Sequence, residues 1–339
     1  MIKNDYLASL KKDIFIINNF TFHTGEVIAD LKVHYAILGN PDGVPVLLLH
    51  GTAGSYRSHL LPTFSDVLFN RKGPLDTERY CIIMPDALGH GESSKPSDGL
   101  RSRFPQYNYD DMVRAQYLLI RQHLGIDHLR LVMGHSMGGM HAWLWGITYP
   151  DFMDALVPMA ATPCAMSGRN WILRRMIIDA IRTDPEWENG NYKRQPARLS
   201  SIKMWFNFAT NGGSIALHNA APTRRKADAL IARQQEKTHA ADANDELYWW
   251  EASRDYDPAP NIKQIKARVL AINSEDDERN PPELHQMEAA MACLTNVQYH
   301  LIPAGKETVG HNTTGCHAGV YADVLKEFLD SLDEDNPVD

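Results

Sequence analysis

Short apolar runs alternate with longer stretches of helical periodicity along most of this chain. Such alternation is typical of repeated strand–helix–strand units, which place their strands parallel in one sheet. We therefore predict an α/β fold with a mostly parallel central sheet. The predicted parallel strands cover residues 46–50, 81–84, 129–133, 155–159, 267–272 and 297–302.

Two earlier apolar runs, 14–22 and 31–38, flank the turn residues Thr24, Gly25 and Glu26. This spacing predicts an antiparallel hairpin, which we place at one edge of the sheet. Helices are predicted over 110–124 and 321–332, the second of which closes the fold.

The regular alternation stops between about residues 161 and 257, where the sequence is helical in character. This stretch holds five of the seven tryptophans: Trp171, Trp187, Trp205, Trp249 and Trp250. We predict a helical lid over 161–257, a core built from 1–160 and 258–333, and a tail over 334–339. The tryptophans either line a substrate pocket or pack the lid, and for most of them we expect packing.

One pentapeptide carries the strongest chemical signal. Residues 134–138 read Gly-His-Ser-Met-Gly, between the predicted strand at 129–133 and a helical stretch that extends to Pro150. A G-x-S-x-G sequence between strand and helix is the signature of a nucleophile elbow, a sharp turn that exposes its serine. The alternative is a glycine-rich turn with an ordinary serine. We predict Ser136 as a nucleophile.

A serine hydroxyl is a weak nucleophile until a histidine takes its proton, and an acid orients that histidine. Acidic residues follow the predicted strand at 267–272, and His311 lies in a glycine-flanked loop after the strand at 297–302. In α/β folds that carry a nucleophile elbow, the chain order is serine, acid, histidine, and Ser136, Asp277 and His311 follow that order. Asp276 remains the alternative acid, and His317 the alternative base.

Attack on a carbonyl also needs backbone N–H groups that stabilise the oxyanion. The residue after the nucleophile, Met137, is one predicted donor. The other is Thr52, which follows His50 and Gly51 in the loop after the strand at 46–50. The alternative for this loop is a plain βα turn, which favours glycine as well.

Composition narrows the range of partners. The chain has 339 residues, is 44% hydrophobic and carries a net charge of −8, which disfavours nucleic acid and leaves a small-molecule substrate.

No apolar run reaches membrane-spanning length. Residues 1–12 lack a signal-peptide core, so we expect a cytoplasmic protein, with a removed signal peptide as the alternative. The four cysteines lack metal-binding spacing, and we expect neither metal nor cofactor. A homodimer is left open.

Together these features resemble the α/β-hydrolase superfamily over nearly the whole chain. A nearer resemblance is to its homoserine O-acetyltransferase branch. Segments 136–140, 104–105 with 111–116, 180–187 and 190–192 are similar to that branch's nucleophile, preceding helix and lid motifs. Hydrolases of this fold commonly have a proline four residues after the catalytic acid, so Pro281 favours Asp277 over Asp276.

The resemblance breaks at three places. Where the transferases carry an arginine that helps to hold their amino-acid substrate, this chain has Ile178, with Arg174 and Arg175 a turn away. The transferases usually have an aspartate directly after the catalytic histidine, where this chain has Asn312. They also usually lack the His-Gly pair that precedes Thr52 in this chain. The apolar residue at 178 leads us to expect a preference for uncharged acyl or alcohol groups.

Three hypotheses follow. The leading one is a serine hydrolase that cleaves a carboxylic ester or thioester through an acyl-enzyme, with water as the final acceptor. The alternative is an acyl-CoA-dependent O-acyltransferase similar to homoserine O-acetyltransferase. A non-catalytic, ligand-binding member of the fold is disfavoured, because every predicted triad residue is present in the expected order.

Overall fold

The computed structural model describes residues 5–238 and 242–335. The strands are β1 (Lys11–Thr21), β2 (Val27–Gly39), β3 (Val44–Leu49), β4 (Tyr80–Pro85), β5 (Leu129–His135), β6 (Met153–Met159), β7 (Arg268–Ser274) and β8 (Val297–Ile302). They form one sheet in the order β1-β2-β4-β3-β5-β6-β7-β8.

Both antiparallel pairs in this sheet involve β2, which pairs with β1 at the edge and with β4, and all other strand pairs are parallel. The predicted α/β fold, with its mostly parallel sheet and antiparallel N-terminal hairpin, is therefore confirmed. Each predicted strand is present, with ends that differ by a few residues.

Helices surround this sheet and complete the fold. Those within the described part of the chain are α1 (Pro62–Leu68), α2 (Tyr109–Leu118), α3 (Met137–Thr148), α4 (Gly168–Arg182), α5 (Ala197–Thr210), α6 (Ser214–Ala220), α7 (Arg224–Thr238), α8 (Ala243–Glu251), α9 (Gln286–Met291), α10 (Thr313–Cys316) and α11 (Ala322–Asp335). Across residues 5–238 and 242–335, none of the helices combines the length and apolar character that a membrane crossing requires.

The hydrophobic core lies on both faces of the sheet. Alternate residues of β3 face opposite sides: Leu47 and Leu49 join the cluster that includes α2 and α3, while Val46 and Leu48 join the cluster that includes α1 and α11. All four side chains are buried. Parallel strands covered on both faces read as continuous apolar runs, which is why the sequence revealed them.

Helices α4–α8 occupy the interval between β6 and β7, where the sequence predicts a lid. The positions of these helices do not by themselves define a boundary between lid and core, so that division stays a prediction. Helix α11 continues to Asp335, two residues into the predicted tail, and residues 336–339 of that tail lie outside the described part of the chain.

Candidate active site

Ser136 occupies the turn between β5 and α3. Its backbone has φ 56° and ψ −115°, a conformation that side-chain-bearing residues rarely adopt. The Ser136 N–H donates to the Met159 carbonyl at 2.8 Å, which ties the turn to β6. The sequence predicted this strained turn from the G-x-S-x-G pentapeptide together with its position between a strand and a helix.

The two glycines of the pentapeptide permit close backbone approach. A Cβ on Gly134 would collide with the backbone of Gly138, and a Cβ on Gly138 would collide with the Leu49 carbonyl of β3. Larger residues at either position would push α3 away from the sheet. The glycines thus fix where Ser136 lies relative to the strand ends.

A hydrogen-bond chain joins the three residues predicted as a triad. The Ser136 Oγ lies 2.8 Å from His311 Nε2, and His311 Nδ1 lies 2.9 and 3.0 Å from the two carboxylate oxygens of Asp277. All three residues are at least 97% buried, with exposed fractions of 3%, 2% and 1%. His317, the alternative base, lies at the C-terminal end of α10 instead.

Several partners hold Asp277 in its charged form. Its carboxylate accepts hydrogen bonds from the Asn280 side chain at 2.9 Å and from the Arg279 N–H at 2.8 Å. Burial by itself raises the pKa of Asp277, but His311 and these donors outweigh it, so the pKa lies below its ordinary value. Asp277 is therefore an anion over the whole neutral range.

Burial has the opposite consequence for the histidine. It lowers the pKa of His311, because desolvation outweighs the attraction of Asp277, and the guanidinium of Arg279 adds to the lowering. At neutral pH the imidazole is uncharged. Its Nδ1–H faces Asp277, which leaves the Nε2 lone pair free to accept the proton of Ser136.

Asp276, the alternative acid, forms its hydrogen bonds with groups other than the imidazole. Its carboxylate accepts from the Ser274 hydroxyl, from Thr308 Oγ1 at 2.8 Å and from the Gly310 N–H at 3.1 Å. These bonds attach the loop that carries His311 to the end of β7. Adjacent carboxylates thus differ: Asp277 contacts the histidine, and Asp276 contacts the loop that holds it.

The two predicted oxyanion donors lie beside the nucleophile. Met137 is the first residue of α3, so its N–H has no acceptor within the helix. Thr52 borders the same cavity as Ser136. A Cβ on the preceding residue, Gly51, would lie 3.5 Å from the Ser136 Cβ, which brings this loop into contact range of the nucleophile.

A cavity of about 430 Å³ opens above Ser136 and His311. Its walls include Phe206 of α5 and Trp250 of α8, so the helices between β6 and β7 enclose part of it. The other tryptophans of these helices do not border it: Trp205, for example, is 73% exposed. We expected most of these tryptophans to pack the lid, and Trp205 neither packs nor borders the cavity.

Helix α4 carries the isoleucine and the two arginines at which the resemblance to the transferases breaks. Ile178 is fully buried in the hydrophobic core. Arg175 is exposed and pairs with Asp179. Arg174 is completely buried and bonds to neutral groups, which include Asn170 Oδ1 at 2.8 Å. The cavity wall includes none of these three side chains, Arg174, Arg175 and Ile178.

Sequence reasoning missed several residues of the site. Arg279 borders the cavity, and Asn280 holds both Asp277 and the Ala160 carbonyl. Lys203 of α5 also borders the cavity and pairs with buried Glu246 of α8. Asn280 could have been found from its position three residues after the acid, whereas the others depend on contacts between distant segments.

Within the described ranges, 5–238 and 242–335, no three His, Cys, Asp or Glu side chains are grouped so that they could hold a metal ion.

Comparison with known proteins assigns the family. A model of the alpha/beta hydrolase fold matches residues 44–309. The chain belongs to the α/β-hydrolase family. Its prediction as an enzyme of this class is confirmed at that level, because its relatives and structural neighbours are esterases and acyltransferases.

Two relatives of this α/β hydrolase align along nearly its full length. It is 27% identical to a "Probable acyltransferase" of Methanothermobacter thermautotrophicus, over 95% of this chain and 99% of that one. It is 29% identical to a "Homoserine O-acetyltransferase" of Trichlorobacter lovleyi, over 91% of this chain and 94% of that one. The predicted nearness to the homoserine O-acetyltransferase branch is confirmed.

A solved esterase has the same fold as this α/β hydrolase. Esterase E22 superposes with a TM-score of 0.81 at 22% identity, covering 94% of this chain and 100% of the esterase chain. At that identity the likeness establishes the fold alone. The relatives and the structural neighbour thus point to two activities, ester hydrolysis and acyl transfer.

Proposed function

We propose that this protein is a serine hydrolase that cleaves a carboxylic ester or thioester through an acyl-enzyme on Ser136. The observation that carries the proposal is the unbroken hydrogen-bond chain from Asp277 through His311 to Ser136 Oγ. A nucleophile bonded to a neutral base, with the base bonded to a fixed anion, is the arrangement that acyl transfer to serine requires.

In the first step, Ser136 Oγ attacks the substrate carbonyl and its proton passes to His311 Nε2. The backbone N–H groups of Met137 and Thr52 are the proposed donors to the resulting oxyanion. When the tetrahedral intermediate collapses, the bond to the leaving alcohol or thiol breaks and His311 returns the proton to it. Asp277 stabilises the imidazolium between these transfers.

In the second step, water replaces the departed alcohol or thiol. His311 Nε2 takes a proton from the water, whose oxygen attacks the acyl carbon. Collapse breaks the bond to Ser136 Oγ and His311 protonates the serine, releasing a carboxylic acid. Each step uses the same base, so the enzyme returns to its starting state after one turnover.

Residues 161–257 are proposed as a lid over this reaction. Support comes from Phe206 and Trp250, which lie in this interval and form part of the cavity wall above Ser136. A partial enclosure strengthens electrostatic interactions at the site because it displaces water. The remaining chain, 1–160 and 258–333, is the proposed core.

O-acyl transfer is the second candidate function. It is favoured by the two relatives that align over more than nine-tenths of this chain, both of which are named as acyltransferases. The same acyl-enzyme serves both reactions, since only the acceptor differs. An alcohol in place of water in the second step gives a new ester instead of a free acid.

Product analysis separates these candidates. The protein is incubated with acetyl-CoA or with p-nitrophenyl acetate, with and without excess L-homoserine, and Ser136→Ala serves as the control. Hydrolysis predicts acetate as the main product whether or not homoserine is present. O-acetylhomoserine as the main product would overturn the hydrolase proposal in favour of acyl transfer, and product formation by Ser136→Ala would overturn both.

A further inference from the structure

Arg279 places a guanidinium in the wall of the cavity, two residues after the proposed catalytic acid. Its Nε donates to Thr210 Oγ1 at 3.1 Å, and its guanidinium carbon lies 4.4 Å from the centre of the Phe206 ring. Both contacts come from α5. The guanidinium is therefore held in place at one edge while its Nη nitrogens remain available.

The Asp277 carboxylate attracts this cation but is itself bonded to His311. Across residues 5–238 and 242–335, no carboxylate forms an ion pair with Arg279 and neither Nη donates to another residue. Lys203, the other cation at the cavity, is different because it pairs with Glu246. Arg279 is half-buried, and a cation partly removed from water without an ion-pair partner is costly, so the arrangement favours an anion that arrives from outside.

A fully buried cation, Arg174, reinforces the positive potential. Arg174 bonds to the neutral oxygens of Asn170, Ser253 and Tyr109, and its Nη2 has no partner. Burial, followed by repulsion from Arg174, lowers the pKa of Arg279 to about 9. Arg279 consequently keeps its charge at neutral pH.

We propose that Arg279 binds a carboxylate of the substrate, so that the preferred ester carries a negative charge in addition to its scissile group. This inference rests on the proposed function. A planar guanidinium with two free Nη groups matches the two oxygens of a carboxylate. It replaces the expectation of an uncharged substrate, which depended on Ile178, a residue packed in the core and away from the cavity.

Such a carboxylate has two sources, the acyl group or the alcohol. On the acyl side, p-nitrophenyl hemisuccinate is compared with p-nitrophenyl butyrate, which has a methyl group in place of the carboxylate. On the alcohol side, the acetate ester of γ-hydroxybutyrate is compared with butyl acetate. The measured quantity is the ratio of kcat/KM for the charged ester to that for the neutral one.

In the pair whose carboxylate reaches Arg279, we expect the wild-type ratio to exceed one. Arg279→Gln should lower it about tenfold to a hundredfold, the effect of losing a charged hydrogen bond. Arg279→Lys, which keeps the charge but not the planar fork, should give an intermediate ratio. The control is Arg169→Gln, an exposed arginine paired with Glu278, which should leave the ratio unchanged.

The outcomes are distinguishable. A ratio below one in both wild-type pairs overturns the inference without any variant, even if Arg279→Gln does not fold. An equal loss on charged and neutral esters in Arg279→Gln also overturns it, because that pattern indicates a positioning role for the turn around Asp277. If all four esters stay intact with the wild-type protein, the proposed function fails, and this inference fails with it.

Discussion

At the scale of single residues, neighbours in sequence perform different tasks because their side chains face different partners. Asp276 and Asp277 are adjacent, yet the first bonds to Thr308 and Gly310 and the second to His311. The sequence indicated Ser136 through a local motif. It could not indicate Arg279, whose contact to Thr210 crosses 69 residues.

The triad residues should differ in their effects on turnover of p-nitrophenyl acetate. Ser136→Ala or His311→Ala should lower kcat by about a millionfold, because nucleophile and base act as one unit. Asp277→Asn should cost less, about ten-thousandfold, because it leaves the imidazole in the wrong tautomer. His317→Ala is the control. Near-normal kcat in His311→Ala with a loss in His317→Ala would show that the wrong base was chosen.

Asp276→Asn tests the division of labour between the two carboxylates. An amide nitrogen facing Thr308 or the Gly310 N–H loses charge-assisted hydrogen bonds, so the His311 loop should be destabilised by about 1–3 kcal/mol. We expect a lower midpoint of urea unfolding and a kcat loss far smaller than that of Asp277→Asn. A kcat loss as large as that of Asp277→Asn would make Asp276 the functional acid.

At the scale of elements, the strands were predictable and the contacts between α5 and the histidine loop were not. Buried parallel strands are visible as apolar runs, and the elbow follows from a G-x-S-x-G sequence between a strand and a helix. The end of α5 adds a connection without any such signal: Asn211 bridges to Gly310, and the Gly212 N–H donates to the Val309 carbonyl at 3.0 Å. Helical periodicity alone does not specify which helix end meets which loop.

The elbow makes a prediction about Gly138. A methyl group there meets the Leu49 carbonyl, so Gly138→Ala should destabilise the fold by about 3 kcal/mol or more, as overpacking does. Gly305→Ala is the matched control, because its Cβ would meet only the Pro303 carbonyl at 3.9 Å. The free energy of unfolding in urea decides the matter. Equal stability of the two variants would contradict the described packing of α3 against the sheet.

At the scale of the whole molecule, burial of uncharged histidines couples stability to pH. Burial lowers the pKa of six histidines besides His311: His50, His59, His90, His135, His141 and His300. For His59 and His141 the pKa falls to about 3. Asp245 opposes them, because burial raises its pKa to about 6.

Acidification should therefore destabilise the protein. Below the ordinary histidine pKa of about 6.5, the unfolded chain binds protons that the folded chain does not. The free energy of unfolding therefore decreases as the pH is lowered. For His141 the loss continues towards pH 3, at up to about 1.4 kcal/mol per pH unit. In His141→Gln the loss between about pH 7 and about pH 5 should be smaller than in wild type.

Urea unfolding at the two pH values measures this loss, and the difference between them cancels any direct effect of the substitution on packing. His285→Gln, which changes an exposed histidine, is the control and should show the wild-type loss. Identical pH dependence in wild type and His141→Gln would mean that His141 is charged in the folded state or does not titrate on unfolding.

The central claim is an acyl-enzyme on Ser136, and trapping that species tests it most directly. Wild type and Ser136→Ala are mixed with p-nitrophenyl acetate, quenched in acid within the first turnover and examined by intact-mass and peptide mass spectrometry. We predict that wild type gains one acetyl group, located on Ser136, and that the burst of p-nitrophenol equals the amount of enzyme. An unmodified Ser136 during steady turnover, or the same burst from Ser136→Ala, would contradict the account.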